Sequence, residues 1–162
     1  MNFNLKLLLS SLLLTFTTAC SAPFNIDFPV PGQEVEPETV APEMVDNVEA
    51  ITNCRGVSVS GDMYFAEGRV CESMYEDLGL ILVGKFDTFQ DALGFFELHK
   101  KTMDSSSRTC SSSGDTGWCD TGLDGGGASF LWYKQRWVFE VAADDVSAQS
   151  KLVDAFDHIS LD

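Results

Sequence analysis

The sequence predicts an α+β domain, with a mainly antiparallel sheet and two principal helices packed on one face, stabilised by disulfides. Three observations predict it. Residues 80–83 and 128–142 are rich in β-branched and aromatic residues, which favour strands. Residues 88–103 and the segment after Asp145 repeat apolar residues at helical spacing. Four cysteines lie outside these segments and form an even set suited to two disulfides. The mixed order of strands and helices is typical of helices covering an antiparallel sheet.

The strand predictions differ in type along the chain. Residues 56–60 and 63–66 read as short strands separated by Gly61 and Asp62. The run at residues 80–83 is entirely apolar, which indicates a strand with both faces buried. Residues 128–142 fit either a hairpin that turns at Lys134 and Gln135 or a single bent strand.

Two helices and one shorter helix are predicted from spacing and capping residues. Asp87 or Thr88 caps a helix over residues 88–103, with Asp91 favouring its positive end. Asp144 or Asp145 caps the last helix. The residues that this last helix turns inward are Leu152, Val153, Phe156 and Ile159. A short amphipathic helix is also predicted over residues 43–51.

The N-terminal segment has the pattern of an export signal. Lys6 precedes an apolar run over residues 7–16, which matches a signal-peptide core and is too short to cross a bilayer. We therefore expect residues 1–19 to be a signal peptide.

The segment Thr17-Thr18-Ala19-Cys20 resembles the lipobox of bacterial lipoproteins. The resemblance implies that Cys20 is the lipidated first residue of the mature chain, palmitate being one of the acyl groups expected there. Ser21 after it implies the outer membrane in a Gram-negative cell. Ordinary cleavage after Ala19 or Ala22 is the alternative, which would give a soluble exported protein.

Composition changes sharply after residue 48. All five prolines of the chain lie before it, among acidic residues, so residues 20–48 are expected to be the lipidated cysteine and a mobile acidic tether. Residues 49–162 are expected to form a single α+β domain. The net charge of −15 opposes binding to nucleic acid and favours cations or a basic partner.

Cysteine number and spacing predict two disulfides. With Cys20 lipidated, the remaining four cysteines form an even set, Cys54, Cys71, Cys110 and Cys119. Their spacing suits the two local pairs, although three pairings are formally open. No Cys-x-x-Cys motif is present, and only His99 and His158 are available to complete a zinc site. We therefore predict structural bridges, with no metal and no cofactor.

Residues 104–127 read as a long polar loop with two candidate chemistries. Asp115, Asp120 and Asp124 offer oxygen ligands for calcium, but Leu131 stands where an EF-hand loop needs a glutamate. The serines at 105–107 and 111–113 lie in no Gly-x-Ser-x-Gly motif, so no catalytic residue is predicted.

The aromatic residues of segment 128–142 are the remaining candidate surface. On one side of the predicted hairpin they form a candidate ligand platform for sugar or peptide, or else the core of the sheet, which is the favoured interpretation in so small a domain. These residues are Phe130, Trp132, Trp137 and Phe139.

The segment Leu82-Val83-Gly84-Lys85-Phe86, followed by Phe89-Gln90-Asp91-Ala92, resembles the SPOR domain. That resemblance implies a β-α-β-β-α-β layout and peptidoglycan binding, and it transfers no site residue. The function expected from the whole sequence is a membrane-anchored envelope lipoprotein acting as a non-catalytic binding or assembly module. Its partners would be the membrane, through the lipid, and an envelope protein or peptidoglycan. The alternatives are a small periplasmic hydrolase and a peptidoglycan-associated structural protein.

Overall fold

The computed structural model describes residues 30–61, 64–103, 108–121 and 127–156, apart from the side chain of Phe156. Within these ranges the chain forms eight strands, two α-helices and one short 3-10 helix. In chain order they are the 3-10 helix Pro37–Thr39, β1 (Met44–Val45), β2 (Val48–Ser60), β3 (Phe65–Tyr75), β4 (Gly79–Phe86), α1 (Phe89–Lys100), β5 (Thr109–Ser113), β6 (Thr116–Asp120), β7 (Ala128–Lys134), β8 (Trp137–Ala143) and α2 (Val146–Phe156).

The eight strands form one antiparallel sheet that curls into a half-barrel. Their order is β1-β2-β3-β4-β8-β7-β6-β5. Two four-stranded meanders, β1 to β4 and β5 to β8, are joined where β4 pairs with β8. The predicted α+β class and the mainly antiparallel sheet are confirmed.

The sheet is apolar on both faces, and each face has its own buried cluster. Along β4, Ile81 and Val83 belong to one cluster and Leu82, between them, to the other. Helix α2 contributes Leu152 to the cluster of Ile81, whereas α1 contributes Phe96 to the cluster of Leu82. We call these two surfaces the α2 face and the α1 face.

The prediction that both helices pack on one face is therefore corrected. Strands that are apolar on both sides need a cover on each side, because exposed apolar surface costs free energy in proportion to its area. The entirely apolar run at residues 80–83 therefore requires that both faces of β4 be covered. In the structure, α1 covers one face and α2 covers the other.

Both helices begin where their capping residues predict. Thr88 Oγ1 accepts from the amide of Asp91 at 3.1 Å, and the Asp91 carboxylate accepts from the amide of Thr88 at 3.2 Å, which forms a capping box. Helix α1 ends at Lys100, three residues before the predicted end. Asp145 caps α2 through its carboxylate, which accepts from the amide of Ala148 at 2.8 Å. Leu152 and Val153 are buried as predicted, while the side chain of Phe156 and residue Ile159 lie outside the described residues.

The predicted helix over residues 43–51 is wrong. This segment is instead a hairpin in which Val45 of β1 pairs with Val48 of β2. The two residues between them, Asp46 and Asn47, both have positive φ (52° and 67°). Asp and Asn tolerate that conformation, and it favours a tight two-residue turn over a helix.

The predicted tether is packed on the domain from Val30 onwards, so the domain begins before residue 49. Val40 and Val45 are 1% and 3% exposed and belong to the α2-face cluster. The side chain of Lys85 donates to the carbonyl of Val35 at 2.8 Å, and that of Arg136 donates to the carbonyl of Gln33 at 3.0 Å. Residues 20–29 lie outside the described residues.

Two further predictions change in detail. The loop expected over residues 104–127 contains the hairpin β5–β6, which places four strands rather than two between the helices and departs from the SPOR layout. The β7–β8 hairpin is present, but Lys134 pairs with Trp137, so its turn is Gln135 and Arg136. Because the turn lies one residue later than predicted, each residue of β7 pairs with a residue two positions further along β8. A shift of two residues leaves every side chain of the hairpin on its expected face.

Candidate functional site

The two predicted local disulfides are present. Cys54 of β2 bonds to Cys71 of β3, and Cys110 of β5 bonds to Cys119 of β6. In both pairs the residues lie directly opposite each other, with Cα atoms 4.1 Å apart. One bridge therefore lies near each edge of the sheet.

The aromatic platform proposed from the sequence is buried. Phe130, Trp132, Trp137 and Phe139 are between 0% and 2% exposed and all lie in the α2-face cluster. Their rings contact one another, as in the pair Trp137 and Phe139, whose centroids are 6.0 Å apart. They form the core under α2 and cannot serve as an accessible stacking surface.

The calcium candidates are not brought together. Asp115 lies in the β5–β6 turn and Asp120 ends β6, so the length of a five-residue strand, about 17 Å, separates them. Asp124 lies outside the described residues, as do His158 and the serines at 105–107. Ser111, in contrast, is an exposed residue of β5.

A groove of about 990 Å³ lies on the sheet beyond the C-terminal end of α1. It is formed by the β1–β2 and β3–β4 turns and by the end of β8. Its lining residues are Asn47, Val48, Glu49, Ile51, Met74, Tyr75, Glu76, Asp77, Gly79, Leu80, Ala142, Ala143 and Asp144. That volume is within the range of sites that hold a small molecule or a short peptide segment.

The floor of the groove is an apolar strip across three strands. Ile51 lies opposite Met74, and Met74 lies opposite Leu80. Ile51 is 78% exposed and Met74 62% exposed. Large adjacent apolar side chains left in water are unusual on a soluble domain and typically mark an interaction surface.

The strip is exposed because α1 ends one row of side chains before it. His99, in the last turn of α1, contacts Glu140, and Glu140 lies opposite Leu82. The next residues on the same face are Ala142 and Leu80, two positions further along each strand. No element in the described part of the chain covers them.

The rim of the groove carries one sign of charge. Four acidic residues line it, and within the described residues no Lys, Arg or His does. They are Glu49, Glu76, Asp77 and Asp144. An apolar floor within an acidic rim favours a ligand that is both apolar and cationic.

A buried polar chain borders this strip. Ser129 donates to Glu140 Oε1 at 2.6 Å, and His99 Nε2 donates to Glu140 Oε2 at 2.7 Å. Glu140 is 8% exposed, so its charge is largely removed from water. The neighbouring ion pair of Arg55 and Glu72, at 2.9 Å, lies on the same face.

The contact between His99 and Glu140 shifts the pKa values of both side chains in the direction that favours their charged forms. The hydrogen bond from Glu140 raises the pKa of His99 above its ordinary 6.5, against the effect of burial. Burial alone would raise the pKa of Glu140. Its hydrogen bonds to His99 and Ser129, together with the charge of His99, outweigh this effect of burial. The pKa of Glu140 is therefore lowered from 4.5.

The pair makes stability depend on pH in a defined window. Because the pKa of His99 is raised on folding, its contribution is complete below pH 6.5 and is lost as pH rises through the raised value. Because the pKa of Glu140 is lowered, its contribution is complete above pH 4.5 and is lost as pH falls through the lowered value. The pair therefore stabilises most between pH 4.5 and 6.5.

We expect His99→Gln to remove the alkaline part of this dependence. Glutamine can still donate to Glu140 but does not titrate, so the free energy of unfolding should lose about 1–2 kcal/mol at pH 5.5 and much less at pH 8.5. Urea denaturation at the two pH values measures the difference, with Lys101→Gln, an exposed neighbour, as control. An equal loss at both pH values would contradict the charged pair.

The same geometry does not assemble a nucleophile. In a serine hydrolase the hydroxyl contacts the imidazole, which acts as its base. Here the Ser129 hydroxyl and the His99 imidazole both bond to Glu140, on different oxygens. Near Glu38 the sulfurs of Cys54 and Cys71 lie within 4.8 Å of its carboxylate, but their disulfide leaves no thiolate to bind a metal.

The groove residues were not singled out from the sequence. The sequence pattern predicts a helix at Ile51, and it predicts no strand at Met74. Apolar residues at 51, 74 and 80 signal a shared row only when the β2–β3–β4 register is known. In the sequence, Glu140 stands between the apolar residues Phe139 and Val141. An acidic residue in such a strand could have indicated a buried polar contact on this face.

Fold and site together define an α+β protein with one curled antiparallel sheet, two bridged edges and an acidic, apolar-floored groove. No protein-family model matches the chain, and no curated protein matches it. A solved structure described as a GTP-binding regulator from Thermotoga maritima is similar, with a TM-score of 0.52. The match covers 80% of this chain and 93% of that chain at 13% identity, a likeness that shows the fold alone. Among the described residues, no helix is long and apolar enough to span a membrane.

Proposed function

We propose that this chain is a membrane-anchored envelope lipoprotein that acts as a non-catalytic binding module, with the groove as its ligand surface. The observation that carries the binding role is the pair Ile51 and Met74, exposed side by side within an acidic rim. Binding would cover apolar surface that the fold leaves in water.

The proposed location of the protein in the cell rests on its N-terminal sequence pattern and on its two disulfides. The lipobox-like segment ending at Cys20 supports a lipid anchor, and two structural disulfides suit an oxidising compartment. Together they favour the cell envelope, and Ser21 after the lipidated cysteine favours the periplasmic side of the outer membrane in a Gram-negative cell. Residues 21–29 would then be the connection between the anchor and the packed domain.

The chemistry of the groove selects among ligand classes. Carboxylates at Glu49, Glu76, Asp77 and Asp144 repel phosphates and other anions, so a nucleotide is disfavoured despite the description of the structural neighbour. A basic partner segment with apolar side chains satisfies both the floor and the rim.

A binding measurement with groove variants tests this function. A labelled synthetic peptide of alternating lysine and valine is titrated into the full chain and followed by fluorescence anisotropy. We expect the pair of substitutions Ile51→Ser and Met74→Ser to weaken binding about tenfold, because two apolar contacts are lost. The pair Glu76→Gln and Asp77→Asn should weaken it several-fold and reduce its salt dependence.

Matched controls lie outside the groove. Val146→Ser removes an apolar side chain that is 40% exposed, and Glu67→Gln removes an exposed acid. Neither should change the affinity. Equal losses in control and groove variants would show that the peptide binds elsewhere and would overturn the assignment of the groove.

The two other roles have their own outcomes. Hydrolysis of a panel substrate by the purified chain, abolished by His99→Ala or His158→Ala, would establish the small hydrolase instead. Co-sedimentation with purified peptidoglycan that survives the groove substitutions would favour a structural role at the cell wall.

A further inference from the structure

The outer edge of β2 is an open pairing surface. β2 runs over Val48–Ser60, whereas β1 pairs only with Val48 and Glu49. One further hydrogen bond on this side joins the amide of Ala50 to the carbonyl of Glu43, at 2.8 Å. From residue 52 to residue 60, no described strand pairs with this edge.

The direction of each backbone group on this edge can be determined. In an antiparallel strand, amide and carbonyl groups alternate between the two neighbours from one residue to the next. The Ala50 amide points outwards, to β1. Cys54 agrees, because its Cα lies 4.1 Å from that of Cys71, a spacing typical of opposite residues that share no backbone hydrogen bond.

The even-numbered residues therefore present their donors and acceptors outwards. These residues are Thr52, Cys54, Gly56, Ser58 and Ser60. Their side chains are small, and a Cβ at Gly56 would meet nothing within 4 Å. An added strand could approach the edge closely from residue 52 to residue 60.

In the part of the chain that the structure describes, this edge lacks the usual protection against pairing. Natural edge strands are shortened, bear proline or lysine, or are bulged. Residues 52–60 contain neither proline nor lysine, and their single charge, Arg55, is neutralised by Glu72. All eleven residues of β3 from Phe65 to Tyr75 pair with β2 without a bulge.

We propose that β2 binds an extended, basic segment of a partner protein by strand addition, with the end of that segment reaching the groove. This inference rests on the proposed function and names the form of its ligand. Ile51 belongs to the groove and directly precedes the open edge at residues 52–60, so the end of a chain paired with that edge can contact the apolar floor. The acidic rim supplies the charge complementarity that makes the segment basic.

The test separates backbone pairing from contacts of side chains. The lysine–valine peptide is compared with the same peptide carrying an N-methyl group on every backbone amide, which keeps its charge and side chains but leaves neither of its edges an N–H to donate. We expect the methylated peptide to bind the full chain about tenfold more weakly, since several backbone hydrogen bonds are lost. Equal binding of both peptides, with groove variants still weakened, would overturn strand addition and leave the groove function standing.

A variant of the protein tests backbone pairing by removing a hydrogen-bond donor from β2 instead of from the peptide. Ser58→Pro removes an outward amide and leaves every β2–β3 hydrogen bond in place, whereas Ser58→Ala is the matched control. We expect the proline variant alone to lose about tenfold in affinity. Unchanged affinity in a folded Ser58→Pro protein would overturn the proposal, and the methylated peptide decides the matter if that variant does not fold.

Two remaining outcomes also contradict it. Absence of any binding of the unmodified peptide would overturn both this inference and the proposed function. Dimerisation of the chain alone in sedimentation, abolished by Ser58→Pro, would assign the edge to a second copy rather than to a basic partner.

Discussion

Trp137→Ala should lower the free energy of unfolding by about 3–5 kcal/mol, the largest single-residue effect expected in this domain. Its side chain is 1% exposed, stacks on Phe139 with rings inclined by 7°, and lies 5.8 Å from the Lys85 ammonium. Truncation removes these contacts and leaves a cavity under α2. Chemical denaturation followed by circular dichroism measures the loss.

The same experiment separates core from ligand platform. Phe65→Ala, at a side chain that is 51% exposed, should change stability by no more than about 0.5 kcal/mol. If Trp137→Ala behaved like this control and instead lost binding, the aromatic residues would be a surface site and the description of the core would be wrong.

Loss of the Cys54–Cys71 bridge should lower the free energy of unfolding by about 3 kcal/mol. The bridge closes a separation of 17 residues and joins the long edge strand β2 to β3. Paired replacement by alanine avoids a free thiol, and urea denaturation in the absence of reductant gives the change. Because domains of this size are stable by only about 5–15 kcal/mol, this is a large fraction of the total.

The second bridge provides the comparison. Replacing Cys110 and Cys119 by alanine should cost slightly less, about 2–3 kcal/mol, since their separation is 9 residues. Reductant should destabilise the native chain and leave a variant lacking all four cysteines unchanged. A native chain equally stable in reductant would contradict a structural role for the bridges.

The sequence was informative wherever a local pattern determined the element. Thr88 and Asp91 form a capping box whose two partners are three residues apart, so the start of α1 could be read directly. The apolar run of β4 and the β content of β7 and β8 were equally clear. Cysteine parity and spacing identified both bridges, because opposite residues of a hairpin are close in sequence.

Elements that depend on pairing rather than composition were harder to predict. Strand β5 consists of Thr, Cys and Ser, which resemble a loop until β6 is placed beside it. The start of β2 resembled an amphipathic helix, since Val48 and Ile51 are three residues apart. Only the turn at Asp46 and Asn47 directs it into a hairpin.

The candidate site depends on contacts between residues that are far apart in the sequence. The exposed strip needs the register that aligns Ile51, Met74 and Leu80, together with the point at which α1 ends. Burial of the aromatic hairpin depends on which face α2 covers. The strongly acidic composition agrees with the acidic rim of the groove, but composition could not show which carboxylates lie there.

We propose that this chain is an exported, lipid-anchored module held together by two bridges, and the mass of the intact protein reports on both features. The membrane-extracted protein is weighed after alkylation, with and without prior reduction. We predict a chain that begins at an acylated Cys20, with Cys54, Cys71, Cys110 and Cys119 alkylated only after reduction. A chain that carries no acyl group would overturn the proposed lipid anchor, and four cysteines alkylated without reductant would overturn the two bridges.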